Sequence, residues 1–368
     1  MIRIENLNQV KAIVYGGAFY GGGGGGWIDD GIKYAQLALE LGGSVEIREP
    51  NEVSNDSILV TVSAVGAPAA KERYMKPIHM VRSVELLIES GVRVDGLIPS
   101  EVGAFNGVNG WIQSVSLGIP VIDIPCNGRA HPMGIMGSMG LHRIKDYVSI
   151  QSAVGGNPAT GRYLELVIAS RLEIAARFIR RAAEEAGGIV AVARNPIEAS
   201  YAKRNGAPGA LKKAMEVGEV IAKHIEIDPK EASIKAIETA DGEVIDECEL
   251  ISTRLETRGG FDIGYIRLRG KEATEYTITF FNEYMTLDLG QKRLATFPDL
   301  IVLMSIDNGL PITSAEASKY VNKKVILGTV SKEKLILGSG VKFAEVYDNL
   351  EKILGVKIKE YLEEFLIR

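Results

Sequence analysis

The order of helical and strand-like segments constrains the fold of this chain more than any other feature. Over the first 130 residues, segments with apolar residues at helical spacing alternate with short β-rich runs such as SVEIRE, SILVTVSAVGAP and PVIDIP. Parallel neighbours in a sheet need a crossover connection, which is usually a helix. The alternation therefore predicts a layered α/β domain whose sheet is at least partly parallel.

The pattern changes in the second half of the chain. After the glycine- and proline-rich text VGGNPATGR, the α/β character continues through YLELVIAS, RLEIAARFIRRAAEE and GIVAVA. From Ile234 onward, apolar and polar residues alternate, and turn signals stand at Asp241-Gly242 and Arg269-Gly270. We therefore predict an N-terminal α/β domain over residues 1–162 and an α+β domain rich in antiparallel strands over residues 163–368.

Charge and composition exclude several classes of protein. The 42 basic and 47 acidic side chains give a net charge of -5, so the basic footprint of a nucleic-acid-binding protein is absent. The sequence has no stretch of 18 uninterrupted apolar residues and no leader pattern at its start, so we expect no membrane segment. The two cysteines, Cys126 and Cys248, are too few for a disulfide framework, and we expect a cytoplasmic protein.

Six consecutive glycines, Gly21–Gly26, follow one helical segment and precede another. Glycines let backbone N–H groups converge on an anion near a helix start. No Lys-Ser or Lys-Thr follows the run, and a helix stands where the dinucleotide fingerprint requires a strand. A tight helix-to-helix connection with positive φ angles remains an alternative to ligand binding. We expect Gly23, Gly24 and Gly25 to approach a small ligand.

A second candidate site follows the strand-like run PVIDIP. The stretch IDIPCNGRAHPMGIMGSMGLH contains Asp123, Cys126, Arg129, His131 and His142, and ligand crevices in open α/β sheets form at such strand ends. Cys126, His131 and His142 are potential ligands of a divalent metal such as zinc, although their spacing matches no standard zinc signature. Alternatively, an imidazole activates Cys126 as a nucleophile, or the stretch is a packed glycine-rich loop.

Two further segments place polar residues at strand ends. In LIPSEVGAFNGVNG, Glu101 follows a strand and Asn106 lies among glycines, so Glu101 is a candidate acid/base in the same crevice as Asp123. In FFNEYM, Asn282 and Glu283 end a strand and are candidates to complete the site across the domain interface.

The order of these motifs resembles the S-methyl-thiohydantoin desulfurase-like family. The motifs are GAFYGGGGGG, SAVGAP, PSEVGAFNG, PVIDIPCNGRAHP, GGFDIG, FFNEY and PDLI, and they span nearly the whole chain. The described member of that family acts on the sulfur-bearing carbon of a five-membered thiohydantoin ring, and the family is associated with hydantoinase and oxoprolinase subunits. By match to the motifs, the resemblance implies site roles for the loop glycines, Glu101, Asn106, Asp123, Arg129, Asn282 and Glu283.

One position departs from the family pattern. Relatives read closer to GRAFPE at the strand end, whereas this chain has His131 at the aromatic position and Met133 at the acidic one. An imidazole in place of an aromatic ring, and the loss of an acid, change the charge and the proton-transfer options of a pocket.

The resemblance, together with the polar cluster at predicted strand ends, implies a hydrolytic enzyme that acts on a small cyclic amide, a hydantoin or thiohydantoin-like ring, with desulfuration as a candidate reaction. Water attacks the ring carbon, Arg129 or a metal stabilises the developing charge, and Glu101 or Asp123 moves the proton. One alternative is a non-catalytic, small-ligand-binding or accessory subunit of a hydantoinase or oxoprolinase. Another is a nucleotide-binding protein that uses Gly21–Gly26. A homo-oligomer or a hydantoinase-type partner is compatible with the sequence.

Overall fold

The computed structural model describes residues 1–66, 70–259 and 261–367. The end of the predicted SAVGAP motif and one glycine of GGFDIG lie outside these ranges. In the described residues, the helices are α1 (Leu7–Gly21), α2 (Ile28–Gly42), α3 (Pro77–Glu89), α4 (Trp111–Leu117), α5 (Leu172–Glu185), α6 (Ala199–Asn205), α7 (Ala210–His224), α8 (Pro229–Thr239) and α9 (Asp348–Leu354).

The first sheet is mixed. Its strands are β1 (Ile2–Ile4), β2 (Val45–Arg48), β3 (Ile58–Gly66), β4 (Gly96–Pro99), β5 (Val121–Ile122), β6 (Ser149–Gly155), β7 (Leu164–Ser170) and β8 (Ile189–Glu198). They pair in the order β1-β2-β5-β4-β3-β8-β6-β7. The neighbours from β2 to β3 are parallel, whereas β1, β8, β6 and β7 are antiparallel additions. The predicted layered α/β arrangement with a partly parallel sheet is confirmed.

The second sheet is antiparallel throughout. Its strands are β9 (Glu243–Arg258), β10 (Phe261–Arg269), β11 (Glu275–Phe281), β12 (Glu283–Leu289), β13 (Lys292–Thr296), β14 (Leu300–Ser305) and β15 (Lys324–Val330). They pair in the order β13-β12-β11-β10-β9-β15-β14. Alternate residues such as Ile266, Leu268 and Ile278 are buried on one face. The predicted region rich in antiparallel strands is confirmed.

One predicted strand is a helix. The strand predicted from Ile234 is wrong over its first residues, because residues 229–239 form the helix α8. The side chain of Asp228 accepts hydrogen bonds from the N–H groups of Lys230 and Glu231, and Pro229 occupies the first turn, where no backbone donor is needed. The turn at residues 241–242 therefore joins α8 to β9 and not one strand to another.

Small residues allow α1 and α7 to cross at close range. A Cβ atom at Gly16 would lie 1.7 Å from the carbonyl oxygen of Ala214, and one at Gly218 would lie 1.7 Å from that of Ala12. The two backbones are therefore in direct contact. This crossing fixes the C-terminal end of α1, and with it the start of the glycine run.

The predicted boundary at residue 162 falls between β6 and β7, which pair with each other in the first sheet. That sheet thus takes β7 and β8 from beyond residue 162, and the division into 1–162 and 163–368 remains a prediction. Within the described ranges, no helix combines the length and the apolar character that crossing a bilayer demands.

Candidate active site

A cavity of about 520 Å³ lies where the first sheet, the glycine run and the β11–β12 turn meet. Segments that are distant in sequence contribute to its wall. Six residues predicted for the site line it: Gly25, Glu101, Asn106, His131, Asn282 and Glu283. The remaining wall comes mainly from the end of β3, residues 132–135, α5, Arg194 of β8, Phe261 and the segment around Glu345.

The glycine run connects the two sheets. Gly22 ends α1 in the left-handed region, at φ 50°, and its carbonyl accepts a hydrogen bond from the N–H of Tyr284 at 2.7 Å. A Cβ atom at Gly24 would lie 2.0 Å from Glu283 Oε1, and one at Gly23 would lie 2.7 Å from the ring of Tyr284. Gly25 lines the cavity, whereas Gly23 and Gly24 pack against the second sheet. The run is the close helix-to-helix connection that the sequence left open as an alternative.

Glu101 is held by N–H donors. It follows β4, is 5% exposed, and its Oε1 atom accepts a hydrogen bond from the side-chain amide of Asn106. Its Oε2 atom accepts a hydrogen bond of 2.9 Å from the backbone N–H of His131. The Asn106 backbone is itself fixed, because its N–H donates to the carbonyl of Gly25. Glu101 is thus a positioned acceptor at the inner wall of the cavity.

Glu283 lies in a different environment. It follows Asn282, which takes a left-handed conformation at φ 57° and anchors the turn through hydrogen bonds with the backbone of Asp262. Glu283 is 3% exposed, and its Oε2 atom has no hydrogen-bond partner among the described residues. Burial, together with the negative charge of Glu101, raises the pKa of Glu283 well above its ordinary value, although the nearby Arg129 opposes the shift. The environment of Glu283 therefore favours its protonated form more than that of an exposed carboxyl group does.

His131 completes the polar end of the cavity. Its Nε2 atom lies 3.4 Å from Glu101 Oε2 and 3.4 Å from the carbonyl oxygen of Ser100. Its Nδ1 atom is buried and has no hydrogen-bond partner in the described part of the chain. Burial lowers the pKa of His131, and the charge of Glu101 only partly offsets this. The imidazole is therefore neutral at physiological pH.

Sequence reasoning missed the arginines of the cavity wall. Arg194 lies in β8 and is 5% exposed, and Arg177 and Arg180 project from α5. Burial lowers the pKa of Arg194, and the guanidinium of Arg180 lies 4.3 Å from the ring centre of Phe261. Arg194 interrupts the apolar run GIVAVARNPIE, and a charged residue inside a buried strand is the signal that would have found it.

Arg129 does not have the predicted position in the cavity wall. It is fully buried, its Nη1 atom donates hydrogen bonds to the carbonyl oxygens of Pro298 and Asp299, and its guanidinium lies 4.5 Å from the ring centre of Phe297. Burial lowers its pKa to about 10. Arg129 joins the loop after β5 to the entry of β14, and its charge acts on Glu283 from behind the cavity wall.

Asp123 is likewise displaced from the predicted crevice. Its Oδ1 atom accepts a hydrogen bond from the N–H of Leu211 at 2.8 Å, and its Oδ2 atom accepts one from Lys212 at 3.1 Å. These are unpaired donors of the first turn of α7, so Asp123 caps that helix. Burial raises its pKa to about 6, and the two backbone hydrogen bonds oppose the shift.

The three predicted metal ligands do not form one centre. Cys126 Sγ lies 3.2 Å from Thr61 Oγ1, and His142 Nε2 lies 2.9 Å from Glu345 Oε1, so each already has a separate partner. No group of three or more His, Cys, Asp or Glu residues in the described ranges is arranged to hold a metal ion. Burial also raises the pKa of Cys126 to about 11, which keeps it a thiol. These residues fit neither the predicted zinc centre nor the predicted nucleophile.

Comparison with protein families decides the relationship that the motifs indicated. Residues 8–159 match the S-Me-THD-like N-terminal domain, and residues 170–344 match the S-Me-THD-like C-terminal domain. The chain belongs to the S-Me-THD-like family. The two matched domains of this S-Me-THD-like protein meet close to the predicted boundary at residue 162.

A solved structure shares the fold of this S-Me-THD-like chain. It is the crystal structure of a protein from Chromobacterium violaceum, at 17% sequence identity and a TM-score of 0.71. The alignment covers 96% of this chain and 97% of the other. A search among curated proteins returned no match.

Proposed function

We propose that this protein is a hydrolase that acts on a hydantoin or thiohydantoin-like ring, and that it replaces a sulfur substituent on the ring carbon with oxygen from water. One observation carries the proposal. Two buried carboxyl groups, Glu101 and Glu283, face one cavity with unlike contacts: both oxygens of Glu101 accept hydrogen bonds, whereas one oxygen of Glu283 has no partner among the described residues and burial raises the pKa of Glu283. Such a pair suits one residue to accept a proton and the other to donate one.

The roles follow from the contacts of each group. Glu101 receives N–H donors on both oxygens, as a carboxylate does, and is the general base for the attacking water. Glu283, whose pKa is raised by burial, is the general acid, and its Oε2 atom, which has no partner among the described residues, faces a ring nitrogen. Neutral His131 has an Nδ1 atom without a partner among the described residues, and this atom positions the water or the ring.

The proton balance closes for an S-alkyl ring. Glu101 takes one proton from water while the new C–O bond forms, and Glu283 protonates the ring nitrogen of the C=N bond. When the tetrahedral intermediate collapses, the C–S bond breaks and the thiolate takes the proton held by Glu101. The hydroxyl proton returns to Glu283. The products are the hydantoin and a free thiol, and both carboxyl groups regain their starting states.

Thiol release from an S-methyl-thiohydantoin tests the proposal. The purified chain is incubated with the substrate, with and without a chelator, while a thiol reagent and mass spectrometry follow the thiol and the ring. We expect turnover that falls at least about 100-fold in Glu101→Gln and Glu283→Gln, the range that loss of a positioned acid or base produces. Asp123→Asn is the matched control, because Asp123 is also a buried carboxyl with a raised pKa but caps α7.

Two results would contradict the proposal. The first is that the purified chain releases no thiol from hydantoins, thiohydantoins or their S-alkyl derivatives. If turnover occurs only after a hydantoinase-type partner is added, the result supports the accessory-subunit alternative instead. The second is full activity in both Glu101→Gln and Glu283→Gln, which would place the chemistry elsewhere in the molecule.

A further inference from the structure

Arg194 is a buried cation that forms no ion pair in the described part of the chain. Its Nε atom is buried without a hydrogen-bond acceptor, and no ion pair joins its guanidinium to a carboxylate within residues 1–66, 70–259 and 261–367. Burial removes a charged group from water, and this is costly unless an opposite charge or hydrogen bonds replace the lost solvation. Because Arg194 lines the cavity, a molecule bound there can supply the missing anion.

The acids of the cavity wall do not fill that role. The charge of Glu101 acts on Arg194, but both oxygens of Glu101 already accept hydrogen bonds from other groups, and burial raises the pKa of Glu283, which disfavours its charged form. Glu345 is bound to Arg143, with Nε–Oε1 at 2.6 Å, and to His142. Glu173 lies on α5 one turn before Arg177, and no ion pair joins it to Arg194 in the part of the chain that the structure describes.

The arginines also extend along one side of the cavity. Arg180 lies one turn after Arg177 on α5, and its guanidinium is held against the ring of Phe261. Burial, together with the positive charge of Arg194, lowers the pKa of Arg180, so the two guanidinium groups lie near each other in the cavity wall. A ligand that places a neutral ring at Glu101 and Glu283 can therefore direct a substituent toward these arginines.

We propose that the substrate ring carries a short substituent that ends in a carboxylate, and that Arg194 binds this carboxylate. The planar guanidinium matches two carboxylate oxygens through parallel N–H donors, which favours a carboxylate over a neutral polar group. The cavity of about 520 Å³ accommodates a five-membered ring with such a substituent. The inference rests on the proposed function, and it narrows the substrate class to acidic hydantoins and thiohydantoins.

Calorimetry with two matched rings tests the inference on the full chain. The probes are hydantoin-5-acetic acid and its neutral carboxamide, which have the same shape and contain no sulfur to release. We expect the wild-type protein to bind the acid about 100-fold more tightly than the amide, the preference that one buried charge-assisted contact gives. Arg194→Gln should remove this preference, and Arg194→Lys should keep part of it.

Two variants separate recognition from folding. Arg181→Gln removes the same charge from an exposed position on α5, where the side chain pairs with Glu184, and should leave the preference unchanged. Arg194→Met fills a similar volume without the charge. Because it removes an unpaired buried cation, its ligand-free thermal midpoint should equal or exceed that of the wild type, whereas its preference for the acid should be lost.

The outcomes distinguish the two proposals. Equal binding of acid and amide by the wild type, or an unchanged preference in Arg194→Gln, would overturn the role of Arg194, and turnover of neutral S-methyl rings would still support the hydrolase. Tight, Arg194-dependent binding of the acid without turnover of any S-methyl ring would support the carboxylate site and refute the hydrolytic function.

Discussion

Gly24→Ala should disable the site by moving one carboxyl group. The added Cβ atom would lie 2.0 Å from Glu283 Oε1 and 2.6 Å from its Cδ atom. An ordinary contact begins near 3.4 Å, so the oxygen has to move by about 1.4 Å, the difference between the two distances. Gly24 is absent from the residues with positive φ, so the change adds a steric conflict without backbone strain.

The expected effect on catalysis is larger than that on stability. A displacement of about 1 Å in a reacting group costs about 100-fold in rate, so kcat for thiol release should fall by at least that factor. Overpacking lowers the free energy of unfolding by about 1–3 kcal/mol, and we expect the low end here because the carboxyl group of Glu283 can rotate away from the added methyl group. Urea unfolding followed by circular dichroism measures the second quantity on the same preparation.

Gly21→Ala is the matched control. Gly21 is the last residue of α1, and a Cβ atom there meets nothing within 4 Å. The activity of Gly21→Ala should match that of the wild type, and its free energy of unfolding should rise by up to about 1 kcal/mol, as expected when alanine replaces a glycine in a helix. In a Glu283→Ala background, Gly24→Ala should cost no further activity. Activity of Gly24→Ala within threefold of the wild type would refute the reasoning that the position of Glu283 limits the rate.

Three further predictions follow from the charges and contacts of the site region. The free energy of unfolding should decline as pH rises above 4.5, the ordinary pKa of a glutamate, because Glu283 loses its proton in the unfolded chain before it does so in the folded chain. Urea titrations at several pH values measure this decline, and Glu283→Gln should make it smaller. Asp123→Ala should lower the free energy of unfolding by about 1–2 kcal/mol, because it leaves two backbone N–H donors of α7 unpaired, while kcat stays within twofold. A large loss of kcat would indicate that Asp123 takes part in catalysis. Cys126→Ser should remain active, and the wild-type Cys126 thiol should resist alkylation by iodoacetamide until the chain unfolds. Rapid alkylation with loss of activity would instead support Cys126 as a nucleophile.

Periodicity alone predicted most of the fold. The glycine run lies at the end of α1 as the sequence indicates, and the change to antiparallel strands is found in β9 to β15. The error at residues 234–239 arose because SIKAIET satisfies both periods, and the deciding signal was the capping pair Asp228-Pro229 in front of it. The pairing of β7 and β8 with the first sheet could not be predicted, because the residues of these two strands do not indicate which sheet they join.

The candidate site was predicted where a motif and a strand end coincide. Glu101, Asn106 and Glu283 line the cavity, whereas Asp123 lies just after the two-residue strand β5 and turns toward α7. Successive side chains leave a strand in opposite directions, so a position near its end does not fix which side a carboxyl faces. Arg194 was missed for the converse reason, because it lies inside a strand, where no loop motif draws attention to it.

The carboxyl pair joins parts of the chain that are made at different times. Glu101 follows a strand of the first sheet, and Glu283 arrives with the β11–β12 turn, after more than half of the remaining sequence has been synthesised. Because Asn282 and Glu283 form part of the cavity wall, the wall is complete only once this hairpin lies against the glycine run. During synthesis from the N-terminus, the segment that carries Glu101 is therefore made well before the residues that complete its cavity.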